Sequence, residues 1–475
     1  MKIQDPSQTS NTVKIMAPRL AKVSALMGGT EAMREAGQSL LPKYDAESDQ
    51  NYNYRLNRAV LLNVFKRAVE TMAGKPFSKP VQVKEFPSAL EFLIDDADNN
   101  GNNLNTFARN TFKSGLVDGL THVLVEYPDV ASEGPKSLED ERKLSARPYF
   151  CHIPHCSIIA AYAEVVNGVE RLTHVRILEE ETIRDGFEEY SVTRVRVLEP
   201  GHWELWEKEK KKWSKVKEGE TTINYIPLLT FYADRESFMV ARPPLTDLAD
   251  LNIAHWQSSS DQRNILTLTR FPILAGSGLN EEESNIKIGP NKLLTSQSKD
   301  GKFYYVEHTG AAIAAGRTDL QDLKEEMAVM SVQLLQRSGN ITATEKSIDT
   351  AQSTSTLQDI ALRFGDFLER CLYVAGEWAG LKEDQITGSV SLNTDFNLSD
   401  VNQTDLTKLI EIRKMKEISH EQFITELKRR DLIADDFDVE LDIEKIKQEE
   451  DRQLELDIMR NELLGLNPDG TPRLE

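Results

Sequence analysis

Two cysteines and two histidines fall within the six residues "CHIPHC", Cys151 to Cys156. These are zinc donors when four of them converge as a tetrahedron, usually as two close pairs brought together by the fold. Here there is one cluster and no second pair. "RPYFCHIPHCSII" begins like a β-strand, which sends Cys151 and His152 to opposite faces. Pro154 then interrupts the run, and a turn there could bring His155 and Cys156 to one earlier ligand. The pattern favours a strand and turn with half-buried thiols and imidazoles over a metal site. "AGKPFS", Ala73 to Ser78, has a Gly-Lys pair without the upstream glycine of a P-loop, and its proline stands where the helix should begin. G-x-S-x-G, H-E-x-x-H and dinucleotide-binding fingerprints are absent, and the carboxylates are scattered. The expectation is a protein that is not an enzyme, with no catalytic residue, metal or cofactor.

The chain has 475 residues, 39% hydrophobic and 28% charged, enough for two or three domains. Three cysteines (Cys151, Cys156, Cys371) give no disulfide framework and fit a reducing compartment. The polar start "MKIQDPSQTS" and the lack of any eighteen-residue apolar run predict neither a signal peptide nor a membrane span. A net charge of −20 argues against tight wrapping of nucleic acid, because phosphate binding is driven by Lys and Arg. Residues 382–475 carry −11 of that charge. The Lys-rich "WELWEKEKKKWSKVK", net +3, reads as a charged hairpin tip.

Periodicity divides the chain further. Leu56, Val60, Val64, Ala68 and Met72 make one apolar stripe, predicting a helix that ends at Gly74 and Pro76. "LNTFARNTFKSGLVDGL" reads as a helix feeding the strand "THVLVEYP". From Arg147 to about Tyr232 strand patterns follow as successive hairpins, so the fold class is α+β. "LTDLADLNIAHWQSSSDQRNILTLTR" is helical but polar on every face in its middle, so it cannot lie wholly inside one subunit's core and should face water or a polar neighbour. The compact segment 271–316 is too short to bury a good core and should gain stability by pairing with another chain. A helix is predicted from Thr318, with Gln321 completing a capping box, and Leu320, Leu323, Met327, Met330 and Leu334 form a packing seam. "RSGNITATEKSIDTAQSTST" reads as a long exposed loop, and a second amphipathic helix runs from Leu357 to about Trp378. A capping box at Ser419 and Gln422 opens a further helix, and a charged helix from Ile443 closes the chain.

Taken in order, several stretches resemble the portal proteins of tailed bacteriophages, in the branch filed as a domain of unknown function. They are "YDAESDQNYNYRLNRAVLLNVFKRAVETMAGKPFSKP", "FARNTFKSGLVDGLTHVLVEYP", "YIPLLTFYA" with "PPLTDLADLNIAHWQSSSDQRNIL", "FYYVEHTGAAI" with "LQDLKEEMAVMSVQLLQ", and "SLNTDF". They span roughly Tyr44 to Phe396. Each is weakly specific alone; their order and spacing carry the likeness.

The resemblance implies a portal fold with wing, stem, clip and crown regions, assembling as a ring, usually of twelve copies. Residues 1–244 would be the α+β wing, 245–270 the first stem helix, 271–316 the clip and 317–336 the second stem helix. Residues 337–356 would be the tunnel loop, 357–381 the long wing helix, and 382–475 the crown with its acidic helices. Arg337, Asn340, Thr344 and Lys346 would lie on the tunnel loop. Trp256, Asp261, Arg263, Leu320, Leu323, Met327, Met330 and Leu334 would line the stem and its contacts between subunits. The implied partners are copies of the chain, double-stranded DNA in the channel, the large terminase, a head-tail adaptor, and the major capsid and scaffolding proteins, with no membrane. The implied location is the portal vertex of the virion, reached from the host cytoplasm during assembly. Another virion assembly protein, a capsid or tail component, is the alternative, followed by a zinc-binding enzyme at Cys151–Cys156.

Overall fold

The computed structural model describes residues 5–128, 146–209, 212–269, 273–277, 300–306, 310–332, 355–394, 396, 403–415, 417–429 and isolated positions between 441 and 463. They belong to two units, Met1–Phe396 and Asn397–Glu475.

In the first unit α1 (Asn11–Glu35) contains Pro18 and kinks at Gly29, whose φ of 80° a side chain would resist. The predicted single stripe from Leu56 to Met72 is in fact two helices, α2 (Asp49–Arg58) and α3 (Val64–Gly74). Distant polar groups claim the backbone between them. Arg34 donates to the Ala59 carbonyl, Thr30 accepts from Leu61 N–H, and Asn252 both accepts from Phe65 N–H and donates to the Leu62 carbonyl. Asn63 then caps α3 by accepting from Lys66 N–H. Val60, expected on the stripe, is 44% exposed, while Ala59 and Leu61 are buried.

After β1 (Gln82–Lys84) and the short α4 (Phe92–Asp95), α5 (Leu104–Asp118) is capped by Asn103 and stopped by Gly119 in the left-handed region. A Cβ on Gly119 would meet the Arg242 backbone at 2.9 Å, so the turn into β2 (Leu120–Glu126) requires glycine twice over. Leu120 to Val125 are all buried, because β2 is the central strand of the antiparallel order β3-β2-β9, between β3 (Tyr149–Ile153) and β9 (Leu228–Tyr232).

The intervening sequence folds as predicted hairpins into one antiparallel meander. It comprises β4 (Ile158–Val166), β5 (Val169–Asp185), β6 (Glu188–Glu199), β7 (His202–Glu209) and β8 (Lys212–Glu220), in that order. A small ribbon of β10 (Arg235–Ser237) and β11 (Val240–Ala241) leads into α6 (Thr246–Thr269). There follow β12 (Ile273–Ser277), paired antiparallel with β13 (Lys302–Val306), and then α7 (Ala311–Met330).

α8 (Thr356–Trp378) begins at a full capping box between Ser355 and Gln358 and buries twelve residues. Phe364 is its centre, with ring centroids 4.9 Å from Phe231 and 5.1 Å from Phe112 in edge-to-face contact. β14 (Ser389–Ser391) returns to pair with β1. The architecture is therefore mixed helix and antiparallel sheet, as the α+β expectation has it.

The second unit contains α9 (Gln403–Lys414) and α10 (His420–Arg429), the latter opened by Ser419 accepting from Gln422 N–H. The described positions between 441 and 463 are helical. Among the described residues, no helix is long and apolar enough to cross a membrane.

Candidate functional site

The side chains of "CHIPHC" face different partners. His152 Nε2 lies 2.8 Å from Thr121 Oγ1, while His155 Nδ1 lies 2.9 Å from Nε2 of His122, whose Nδ1 is 2.9 Å from Thr230 Oγ1. His122 stands on β2, and no nearby residue in the sequence marks it as the partner of His155. Burial holds the His122 imidazole well below its ordinary pKa, pushes His155 down to about 4 and lowers His152, so all three stay neutral. Burial, with Glu126 nearby, pushes the Cys151 thiol up to about 11, the opposite of what a zinc thiolate needs. Cys156 is exposed. Beside this group, burial raises the half-buried Asp118 carboxyl to about 7.

The stronger candidate is the helix pair. α6 and α7 pack against each other, joined through the β12–β13 ribbon. The polar middle of α6, expected to face water or a polar neighbour, meets polar groups of its own chain. Gln257 donates to the Leu40 carbonyl, Ser258 to Asp319, and Gln262 to the Ile313 carbonyl. Asp261 takes a hydrogen bond from Arg55, itself 4% exposed, which also pairs with Glu47 and lies over the Tyr44 ring. Burial and the Asp261 carboxylate push the Tyr44 phenol up to about 12. Arg55 thus ties the segment before α2 to α6, a hub that stripe analysis misses because its partners are up to 206 residues away. Arg263 is exposed and donates to the Arg58 carbonyl.

Of the expected subunit contacts, Trp256 and Met327 are both fully buried in the chain's own core, so neither is available to a neighbouring copy. Leu320, Leu323 and Met330 are half-buried, and Leu334 lies outside the described residues. The second helix starts at Ala311, after Gly310, seven residues before the predicted Thr318. Thr318 donates back to the Ala314 carbonyl within the helix, and Gln321 donates to Glu325, so no capping box forms there. "AAIAAG" has the propensity to extend the helix upstream. Gly316 is a point of close approach, since a Cβ there would lie 2.2 Å from Gln262 Oε1. Arg337, Asn340, Thr344 and Lys346 lie outside the described residues, as does most of the expected clip.

Residues 244–379 match a family described as a domain of unknown function (DUF4055). That span opens two residues before α6 and closes one residue after α8, enclosing the helix pair, the ribbon and the core helix. None of the curated proteins compared with the chain matches it. Similar solved structures include the neck of an empty gene transfer agent (GTA) particle computed with C6 symmetry, at 10% identity and a TM-score of 0.38, covering 75% of this chain and 86% of that one. The virion of a native GTA particle gives 11% identity and a TM-score of 0.37, covering 77% and 89%. The neck of a native GTA particle computed with C12 symmetry gives 11% and 0.38, with the same coverage. Likenesses at this level carry no inference about what this chain does.

Proposed function

We propose that the chain is the subunit of a portal ring, a channel at one capsid vertex through which double-stranded DNA enters and leaves. The observation that carries this reading is the unfinished packing of α7. Of its 20 residues only Met327 is buried, and its seam residues Leu320, Leu323 and Met330 are half-covered. The β12–β13 ribbon supports the same conclusion, because a two-stranded ribbon is marginal alone and, among the described residues, has no third strand. Neighbouring copies around a ring would complete both. The order of segments from Tyr44 to Phe396, which resembles that of phage portals, supplies the channel function.

In this reading the acidic chain denies phosphates a strong site, so DNA slides instead of sticking. Arg337 and Lys346 would touch the duplex transiently from the tunnel loop. The ATPase is a separate protein, the large terminase, and a head-tail adaptor later takes its place on the clip. Negative-stain imaging of purified protein tests the proposal, with closed rings of about twelve subunits expected. Shells or tubes would instead mean a capsid or tail component, and a monomer at every concentration and ionic strength would overturn the ring altogether.

A further inference from the structure

The β7–β8 hairpin gathers a donor set independent of the helix pair. His202 and Glu204 are two residues apart on β7 and share a face, and Glu204 stands directly opposite Glu218 on β8. One donor atom from each of the three lies within 4.8 Å of the other two, and His202 Nε2 is 3.6 Å from Glu204 Oε1. The Trp206 indole donates to the other oxygen of Glu204, Oε2, at 2.8 Å, leaving Oε1 turned toward the imidazole.

Two carboxylates in direct cross-strand register repel each other unless a cation sits between them. Lys215 supplies that cation, its Nζ 3.2 Å from Glu204 Oε1 and 2.6 Å from Glu218 Oε2. An ammonium therefore marks the point on which both acidic side chains converge, and the imidazole nitrogen stands beside it.

We propose that this face is a divalent-cation site, with His202 Nε2, Glu204 Oε1 and Glu218 Oε2 as zinc ligands, water as the fourth, and Lys215 as a built-in competitor. One imidazole with two carboxylates suits Zn²⁺, whereas Mg²⁺ and Ca²⁺ take oxygen donors only. Ligands about 2.1 Å from one ion lie closer together than the present spacing, and exposed Glu218 closes the gap by rotation. Lys215 leaves on a flexible four-carbon stem. The bound ion would staple β8, the last strand of the meander, to β7.

Isothermal titration of zinc chloride into the untagged full chain tests this. One zinc per chain is expected, with affinity at least about tenfold weaker in His202→Ala and Glu204→Gln and about tenfold tighter in Lys215→Met. Thermal melts without zinc check that each variant is folded, and His202→Gln replaces the alanine variant if that one is not. Equal binding by the wild type and the His202 variant would place the zinc elsewhere, Cys151 and Cys156 included, and overturn the site. So would an absence of binding by Lys215→Met at about 1 mM zinc.

Discussion

α7 and α8 are near twins in length, 20 and 23 residues, and both carry apolar residues at helical spacing. Yet α8 buries twelve residues and α7 buries one. The difference lies in what surrounds them. α8 is wrapped by α5, β2, β9 and β14, and its Phe364 meets Phe77, Phe112, Phe231 and Phe367. α7 has α6 along one side, and its Val329 remains 64% exposed. An apolar seam therefore states that a helix packs, without stating against which chain.

The sharpest break in that comparison is Phe364→Ala. Removing a ring at the centre of the aromatic cluster should cost about 3–5 kcal/mol in denaturant unfolding. A loss below about 2 kcal/mol would mean that the core collapses into the space, and that α8 is held less tightly than its burial implies.

A smaller effect separates the interior from α7 by pH. His155 keeps a folded pKa of about 4 against an ordinary 6.5, so between those values the unfolded chain takes up a proton that the native state refuses. Stability should fall as pH drops through that window, by up to about 1.4 kcal/mol per pH unit for each such histidine, and level off below it. His122 and His152 are shifted in the same direction. Asp118 works oppositely, since its pKa is raised from 3.8 to about 7 and its contribution is lost as pH rises through that range. Melting temperature against pH should be shallower on the acid side for His155→Gln than for the wild type, and an unchanged slope would remove His155 as the cause.

The smallest stability change belongs to α7. Leu320→Ser with Leu323→Ser should shift subunit stability by no more than about 1 kcal/mol, because both side chains are only half-buried in the chain. Ring formation, followed by mass photometry, should nevertheless be lost. Intact rings from that double variant would show that α7 is finished by something other than a neighbouring copy.

Legibility in the sequence followed the range of the forces involved. The meander is readable because alternation and turn residues act over a few positions. The junction from α5 to β2 is readable for the same reason, with Asn103 and Gly119 as its punctuation. α1 carries Pro18 and a kink at Gly29, so no single apolar stripe runs along it. The break between α2 and α3 was hidden because Arg34, Thr30 and Asn252 act from 25 to 190 residues away. In the candidate site, the seam residues of α7 were visible by spacing, whereas the start of the helix was misplaced and the internal anchoring of α6 was missed.

What the sequence determined by itself is the set of local choices: alternating strands, capped helices, a charge balance hostile to tight DNA wrapping, and a hydrophobic seam on α7. Tertiary structure decided which polar groups are spent inside the subunit. Gln257, Asp261 and Gln262 look solvent-directed on a helical wheel, yet each is paired within the chain. The physical reason is that a hydrogen bond or ion pair depends on distance in space, and contacts such as Arg55 to Asp261 exist only once the chain has folded back on itself.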